Sequence, residues 1–509
     1  MKKKSLISLL LLIVLLFGIL PISSLALDEP SLSCKRILLV DTESGRTLLE
    51  RNADERAEPA SLTKIMTALV VLDAVERGDI SLDQNVTASG NILNDMVEDG
   101  STSNIVPGET MSIQNLLYCI LLESANEGCN MLAEAVSGTV QAFVNEMNSK
   151  ATAIGCLDTN FKNPHGLPAE GHYTTARDMY LITREALKNE LFSRICNTAK
   201  YTVPATNVSG PRELSNSNGL INSESKVYPG NFYEFAAGVK TGHTNAAGYC
   251  LVSTASKDKI SLMAVVMGGD MRDNNGAPTF DSFTDTRKLY DWVFKNFSYI
   301  EILSSGELLE EIEVELAADG EKLVPRPQTG LKALLPQDTD LGEFTFDRDI
   351  RIFALEKGEK LKAPIAAGEL LGEITLSREG VSYGTVPLVA NSGVELGKME
   401  YIKAALGHAA DLLWVKIVLA LLIIAILAYI VLVIKYRVMH KKYLNAMKKE
   451  KRRREELRRK IERARADSSD GIEYGGRSAA NRPYRPARER KRPGGAGERS
   501  EDEGIRKQK

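Results

Sequence analysis

Cysteine, histidine and the aromatic residues are all scarce in this chain. Among 509 residues there are 6 Cys, 5 His, 2 Trp and 6% aromatic side chains. So few thiols exclude a disulfide scaffold, although an exported protein permits disulfides. Cys34, Cys119, Cys129, Cys156, Cys196 and Cys250 show no CxxC or zinc-ligand spacing, and they read as free buried thiols. With the histidines scattered as well, no metal site is expected and no cofactor is called for. A composition of 43% hydrophobic and 26% charged residues excludes a wholly disordered chain, a collagen-like repeat and a polytopic membrane protein.

Net charge is also nearly lacking, at −3, but the figure is a cancellation. Residues 435–509 carry +14 and residues 27–434 carry −20, with Lys2, Lys3 and Lys4 adding the rest. Such an asymmetry implies two compartments or a binding tail.

The two ends account for the split. Lys2–Lys4, the apolar run Leu6–Leu20 and the small residues ending at Ala26 have the form of a secretory signal peptide over residues 1–26. Near the other end, Ile417–Ile434 is a charge-free run of 18 residues within a predicted transmembrane helix over 412–434. Lys435, Arg437, Lys441 and Lys442 follow at once, which marks that side as cytoplasmic. Residues 27–411 are therefore expected outside the cell membrane and the basic tail, 435–509, inside. The tail reads as helical over 440–465 and disordered beyond, with a charge suited to anionic lipid. Without aromatic interleaving, no nucleic-acid partner is expected.

The exported part divides in two. Residues 27–298 mix helical and strand patterns and imply an α+β domain, an antiparallel sheet with packed helices. Its expected elements are a hairpin at 36–41 and 46–50, a helix over 60–77 with an apolar stripe at Ile65, Ala68, Leu69, Leu72 and Val75, helices at 115–122 and 129–136, and central strands at 249–254 and 260–267. Residues 299–395 read as a small all-β domain, from alternations such as Ile312/Val314/Leu316, Phe344/Phe346, Ile350/Ile352 and Ile374/Leu376. Residues 396–411 link it to the span.

Three short motifs in the first domain carry chemistry. In Ser61-Leu62-Thr63-Lys64 the serine and lysine lie one helical turn apart on one face. A serine hydroxyl needs a base, and a lysine serves only when neutral, which burial and a nearby cation such as Lys240 favour. Ser124-Ala125-Asn126 lies at a junction between two apolar helical stretches. Ser124 is placed to relay a proton and Asn126 to hold Lys64 and a substrate amide. In Lys240-Thr241-Gly242, before the strand at Tyr249, a cation and a hydroxyl can grip a carboxylate while the glycine admits close backbone approach.

In this order the motifs resemble the signature of penicillin-binding proteins and class A β-lactamases. The stretches Phe161–Leu167, His172–Asp178, Asn216–Leu220 and Gly238–Thr244 narrow the resemblance to serine-type D-alanyl-D-alanine carboxypeptidases, the low-molecular-mass penicillin-binding proteins. His243 after the KTG glycine separates the chain from typical class A β-lactamases. Ala125 stands where many members have Gly, and Glu127 where Asp is frequent. The full span with a long tail also differs from the amphipathic surface helix of many members. The resemblance implies a penicillin-binding/serine β-lactamase-like catalytic domain acting on the peptidoglycan stem peptide. Ser61 would attack the penultimate D-Ala carbonyl with Lys64 as base, and Ser124 and Asn126 would assist. Lys240 and Thr241 would bind the terminal carboxylate, with Gly242 leaving room for the substrate backbone. The backbone N–H groups of Ser61 and His243 would form the oxyanion hole, and β-lactams would acylate Ser61. A β-lactamase and a non-catalytic membrane-anchored β-lactam sensor or scaffold remain as alternatives.

Overall fold

A computed structural model describes residues 27–466, except 275, 276 and 343. The expected signal peptide and residues 467–509 of the tail lie outside the described residues. Of the described residues, those up to Ala404 form one unit and those from Ala405 onward a second.

A five-stranded antiparallel sheet organises the first unit. Its strands are β1 (Arg36–Asp41), β2 (Thr47–Arg51), β3 (Ala236–Thr244), β4 (Gly248–Lys257) and β5 (Ile260–Gly269), in the order β2-β1-β5-β4-β3. The expected hairpin and central strands are all present, with Gly45 at φ +72° turning the chain between β1 and β2. Strand alternation feeds two cores. Leu38 and Val40 join one with Val252, Met263 and Val265. Ile37 and Leu39 join the other with Leu262, Ala264 and Val266. The helix Asp281–Asn296 covers the second core through Leu289, Tyr290 and Val293.

The first core is covered by a group of helices: α1 (Thr63–Glu76), α2 (Ile113–Tyr118), α3 (Asn126–Ser137) and α4 (Ala176–Ala186). Here α1 departs from the expected single stripe. Thr63, Lys64, Met66, Thr67 and Val70 are buried as well as Ile65, Ala68 and Leu69, because α1 lies within a core that the sheet and the other helices build together. Gly78, at φ +78°, follows its end as expected. The helix expected over 115–122 is also corrected. It is α-helical only through Tyr118 and then widens into a π-type turn, Cys119–Glu123.

The expected boundary at 298/299 falls inside a strand, β6 (Phe297–Leu303), which pairs with Leu331–Pro336. Beyond it, a four-stranded sheet is built from Pro325–Pro327, Asp347–Ile352, Leu370–Arg378 and Val381–Ala390. Ile350/Ile352 and Ile374/Leu376 lie in strands as expected. Val314, Leu316, Phe344 and Phe346 do not. The two phenylalanines instead pack edge-on against each other and against Tyr383, and Arg378 sits 3.7 Å over the Phe344 ring. Ring packing has displaced strand pairing there. Tyr299 donates to Asp41 Oδ1 at 2.8 Å and Arg46 to the Leu334 carbonyl, tying the β-rich part to the β1–β2 turn.

The stretch expected to link, 396–411, is helical from Lys398 to Asp411. In the second unit one helix, α5 (Leu413–Ala466), runs for 54 residues, about 81 Å at ~1.5 Å per residue. Its apolar first part is long enough to cross a membrane, with a mean hydropathy of 3.5, and its basic part continues as helix as expected.

Candidate active site

The site lies where the start of α1, the end of the π-type turn and β3 converge. Ser61 is in a 3-10 turn, Ala60–Leu62, that leads into α1. Its hydroxyl caps nothing. Instead Lys64 Nζ lies 2.9 Å from Ser61 Oγ. The same ammonium reaches Asn126 Oδ1 at 2.7 Å and the His165 carbonyl at 2.6 Å. Serine and lysine thus lie side by side, as their spacing requires, with three acceptors fixing the amine.

The π-type turn explains the second motif. It ends with Ser124 in the left-handed region, φ +65°, and α3 begins two residues later at Asn126. A non-glycine residue there stores roughly 1–3 kcal/mol of strain. The surrounding packing holds it: Cys119, Leu121, Leu122 and Ala125 are all buried. Ser124 Oγ is buried without a hydrogen-bond partner and lines the site cavity.

Lys240, Thr241 and Gly242 lie on β3, one of the two edge strands of the sheet. Lys240 Nζ donates to the Thr241 carbonyl at 2.9 Å, and Thr241 Oγ1 lies 2.8 Å from Ser217 Oγ. Gly242 is packed so tightly that a Cβ there would stand 3.2 Å from the backbone nitrogens of both Ser61 and Leu62. His243 is exposed and stacks on Tyr249 with ring centroids 4.1 Å apart. All eight expected residues therefore gather here, Ser61, Ser124, Asn126, Thr241, Gly242 and His243 around a cavity of about 700 Å³ and Lys64 and Lys240 buried beside it.

Both lysines are almost wholly enclosed, at 0% and 1% exposure. Burial lowers Lys64 to about 8. Burial, and then repulsion from Lys64, lowers Lys240 to about 7. Burial is the larger cause for both lysines, and the repulsion between two enclosed cations disfavours charging either while the other is charged. Below the site, His165 and His172 are lowered to about 3 and about 4, chiefly by burial. His172 Nδ1 accepts from Lys162 N, which leaves Nε2 to face Thr63 Oγ1 at 3.0 Å.

Several residues of the site carry no role in the sequence reading. Gly166, at φ +91°, lies so close beneath the Ser61 turn that a Cβ would fall 1.9 Å from the Ala60 carbonyl oxygen. Ser217 is held by its N–H to the Leu122 carbonyl, and Asn218 Nδ2 donates to the Gly238 carbonyl, so this segment fastens β3 to the π-type turn. Glu127 accepts from Thr102 Oγ1, Ser103 N and Ile105 N, which pins the loop over the cavity. Ser217 and Gly166 stand within stretches that carry the resemblance, but only contact geometry assigns their work. The six cysteines are free, and all but Cys156 are buried.

Known proteins are similar to this chain in sequence and in fold. A family described as D-alanyl-D-alanine carboxypeptidase matches residues 24–271. The chain is 30% identical over 381 residues to the D-alanyl-D-alanine carboxypeptidase DacF of Bacillus subtilis, covering 75% of this chain and 91% of that protein. It is also 30% identical over 390 residues to DacA of Escherichia coli, covering 74% and 89%. Among solved structures, penicillin binding protein 5 from Haemophilus influenzae is similar with a TM-score of 0.55 at 27% identity, covering 72% of this chain and 99% of that one.

Proposed function

The chain belongs to the D-alanyl-D-alanine carboxypeptidase family, and on that premise we propose that Ser61 is the nucleophile with which it removes the terminal D-alanine of peptidoglycan stem peptides. The 2.9 Å contact between Ser61 Oγ and Lys64 Nζ carries the assignment. A neutral Lys64 takes the Ser61 proton as Oγ attacks the penultimate D-Ala carbonyl. The oxygen of that carbonyl gains charge in front of the Ser61 and His243 N–H groups, and a donor of this kind is worth about 3 kcal/mol in other enzymes. Gly242 leaves the room this requires. Ser124 Oγ, with no hydrogen-bond partner among the described residues, passes the proton to the leaving amine. Asn126 keeps Lys64 in place. Lys240 and Thr241 hold the terminal carboxylate, and β3 offers an unpaired strand edge to the peptide backbone.

Water then attacks the acyl-enzyme and restores Ser61. β-Lactams enter the same path, acylating Ser61 through their own carbonyl while Lys240 and Thr241 take their carboxylate. We also propose that α5 anchors the enzyme in the cell membrane, with residues 27–411 outside and the basic tail inside. Incubation of the protein with a D-Ala-D-Ala peptide tests the assignment. Release of D-Ala that is lost in Ser61→Ala supports it, and equal release by that variant contradicts it.

A further inference from the structure

A second cavity, of about 790 Å³, opens between the β1–β2 turn and the β-rich part. It is remote from Ser61. Lys257, beside its rim, stands six residues along β4 from Leu251, the partner of Thr241, or about 20 Å. The walls are tied together. Tyr299 donates to Asp41 Oδ1 at 2.8 Å, Ser44 Oγ to Asp41 Oδ2 and Arg46 to the Leu334 carbonyl, while the Arg46 guanidinium sits 4.8 Å over the Tyr383 ring. Lys259 and Lys332 bring positive heads to the lining and Glu43 a negative one, all exposed. None of these three side chains has an ion pair or a hydrogen bond among the described residues. Ser382 and Thr385 add hydroxyls, and Tyr299 and Tyr383 add half-buried rings.

The backbone supplies an independent observation. Asp258 and Lys259, at φ +51° and +70°, make the two-residue turn between β4 and β5. Such a turn favours glycine at its second position. Lysine is strained there, and strained residues gather at ligand sites and switches. No contact of its ammonium within the protein offsets that strain, and the side chain lines the cavity.

We propose that this cavity binds a saccharide chain. The lining selects the ligand. An apolar molecule would strip water from three charged heads and replace none of it. A simple anion meets Glu43, and a simple cation meets two lysines. Sugar hydroxyls suit both signs at once, because each can donate to Glu43 and accept from Lys259, Lys332, Ser382 or Thr385. The C–H faces of the sugar cover the tyrosine rings, whose apolar bodies and polar tips fit such a ligand. The ligand class follows from the lining alone and goes beyond the carboxypeptidase reading.

The test is calorimetric titration of the full chain in detergent with the β-1,4-linked tetramer of N-acetylglucosamine. The wild type should bind it saturably. Lys259→Gly and Lys332→Ala should each weaken binding about tenfold, the worth of a hydrogen bond from a charged group. Lys259→Gly relieves the turn, so its melting temperature should hold or rise and its loss of affinity is not unfolding. Absence of saturable binding by the wild type overturns the proposal, as does affinity unchanged in both variants. D-Ala release from a free D-Ala-D-Ala peptide, followed in the same samples, should be equal in the wild type and both variants. A wild type that releases none overturns the carboxypeptidase reading alone, and the titration still decides the saccharide site.

Discussion

Two buried lysines share one site, and their proton count sets its activity. Lys64 must be neutral to take the Ser61 proton, and Lys240 must be charged to hold a carboxylate. With values near 8 and 7, the pair carries a single proton mainly between pH 7 and 8, and the reactive form, with that proton on Lys240 rather than Lys64, is the minor one until a carboxylate binds. The acid limb of kcat/KM comes from protonation of the pair, and the alkaline limb from loss of its last proton. A pH profile of kcat/KM should therefore be a bell centred near 7.5, and a monotonic rise across that range would contradict the assignment. Bound carboxylate keeps Lys240 charged, so kcat should retain only the acid limb. Gly242→Ala should lower kcat about a hundredfold with little change in melting temperature, because its methyl would crowd the Ser61 N–H. His172 gives a stability prediction. Unfolded, it binds a proton below about 6.5; folded, only near 4. Its contribution is complete above pH 6.5 and drains away as pH falls toward 4. Denaturation midpoints measured from pH 7 to 4 should fall less steeply in His172→Gln than in the wild type. At this scale the sequence was informative wherever chemistry demands a residue type, as at Ser61, Lys64, Lys240 and Gly242. It was silent where shape alone decides. Gly166 looks like any loop glycine until the Ala60 carbonyl is found against it.

Among the elements, the short π-type turn at Cys119–Glu123 matters most for the site. It gives the chain the extra reach to deliver Ser124 in a left-handed conformation and to start α3 at Asn126. Apolar periodicity in Leu116–Leu122 predicts a helix but cannot register one residue of added width, so this detail was not legible. The hairpin, α1 and the strands β4 and β5 were legible, because alternation and helical spacing are strong over those lengths. The burial of α1 on every face of its first ten residues was not. A helix so enclosed shows no polar face there, and its polar members Thr63, Lys64 and Thr67 resemble solvent-facing residues. The strands around Phe344 and Phe346 failed for a related reason, since aromatic alternation serves ring packing as well as a pleat. The tight seat of the Ser61 turn makes a firm prediction. Gly166→Ala should destabilise the protein by about 3 kcal/mol, read as a lowered melting temperature, because both its φ and the Ala60 carbonyl exclude a methyl group.

Across the whole molecule, charge and hydropathy sort the chain. Residues 27–434, which end in the apolar stretch of a helix, carry −20, and the last 75 residues, which begin with its basic part, carry +14. This was the most legible level, since it depends on sums and runs of residues. A protease added outside intact protoplasts should digest residues 27–411 and spare an epitope at the C-terminus; loss of that epitope would reverse the assigned orientation. The central claim, that this chain is a carboxypeptidase working through Ser61, is tested most directly by D-Ala release. Full chain in detergent, given a D-Ala-D-Ala peptide, should release one D-Ala per peptide, and Ser61→Ala should release none while keeping the wild-type melting temperature. Undiminished release by a folded Ser61→Ala protein, or no release by the wild type, would contradict the account.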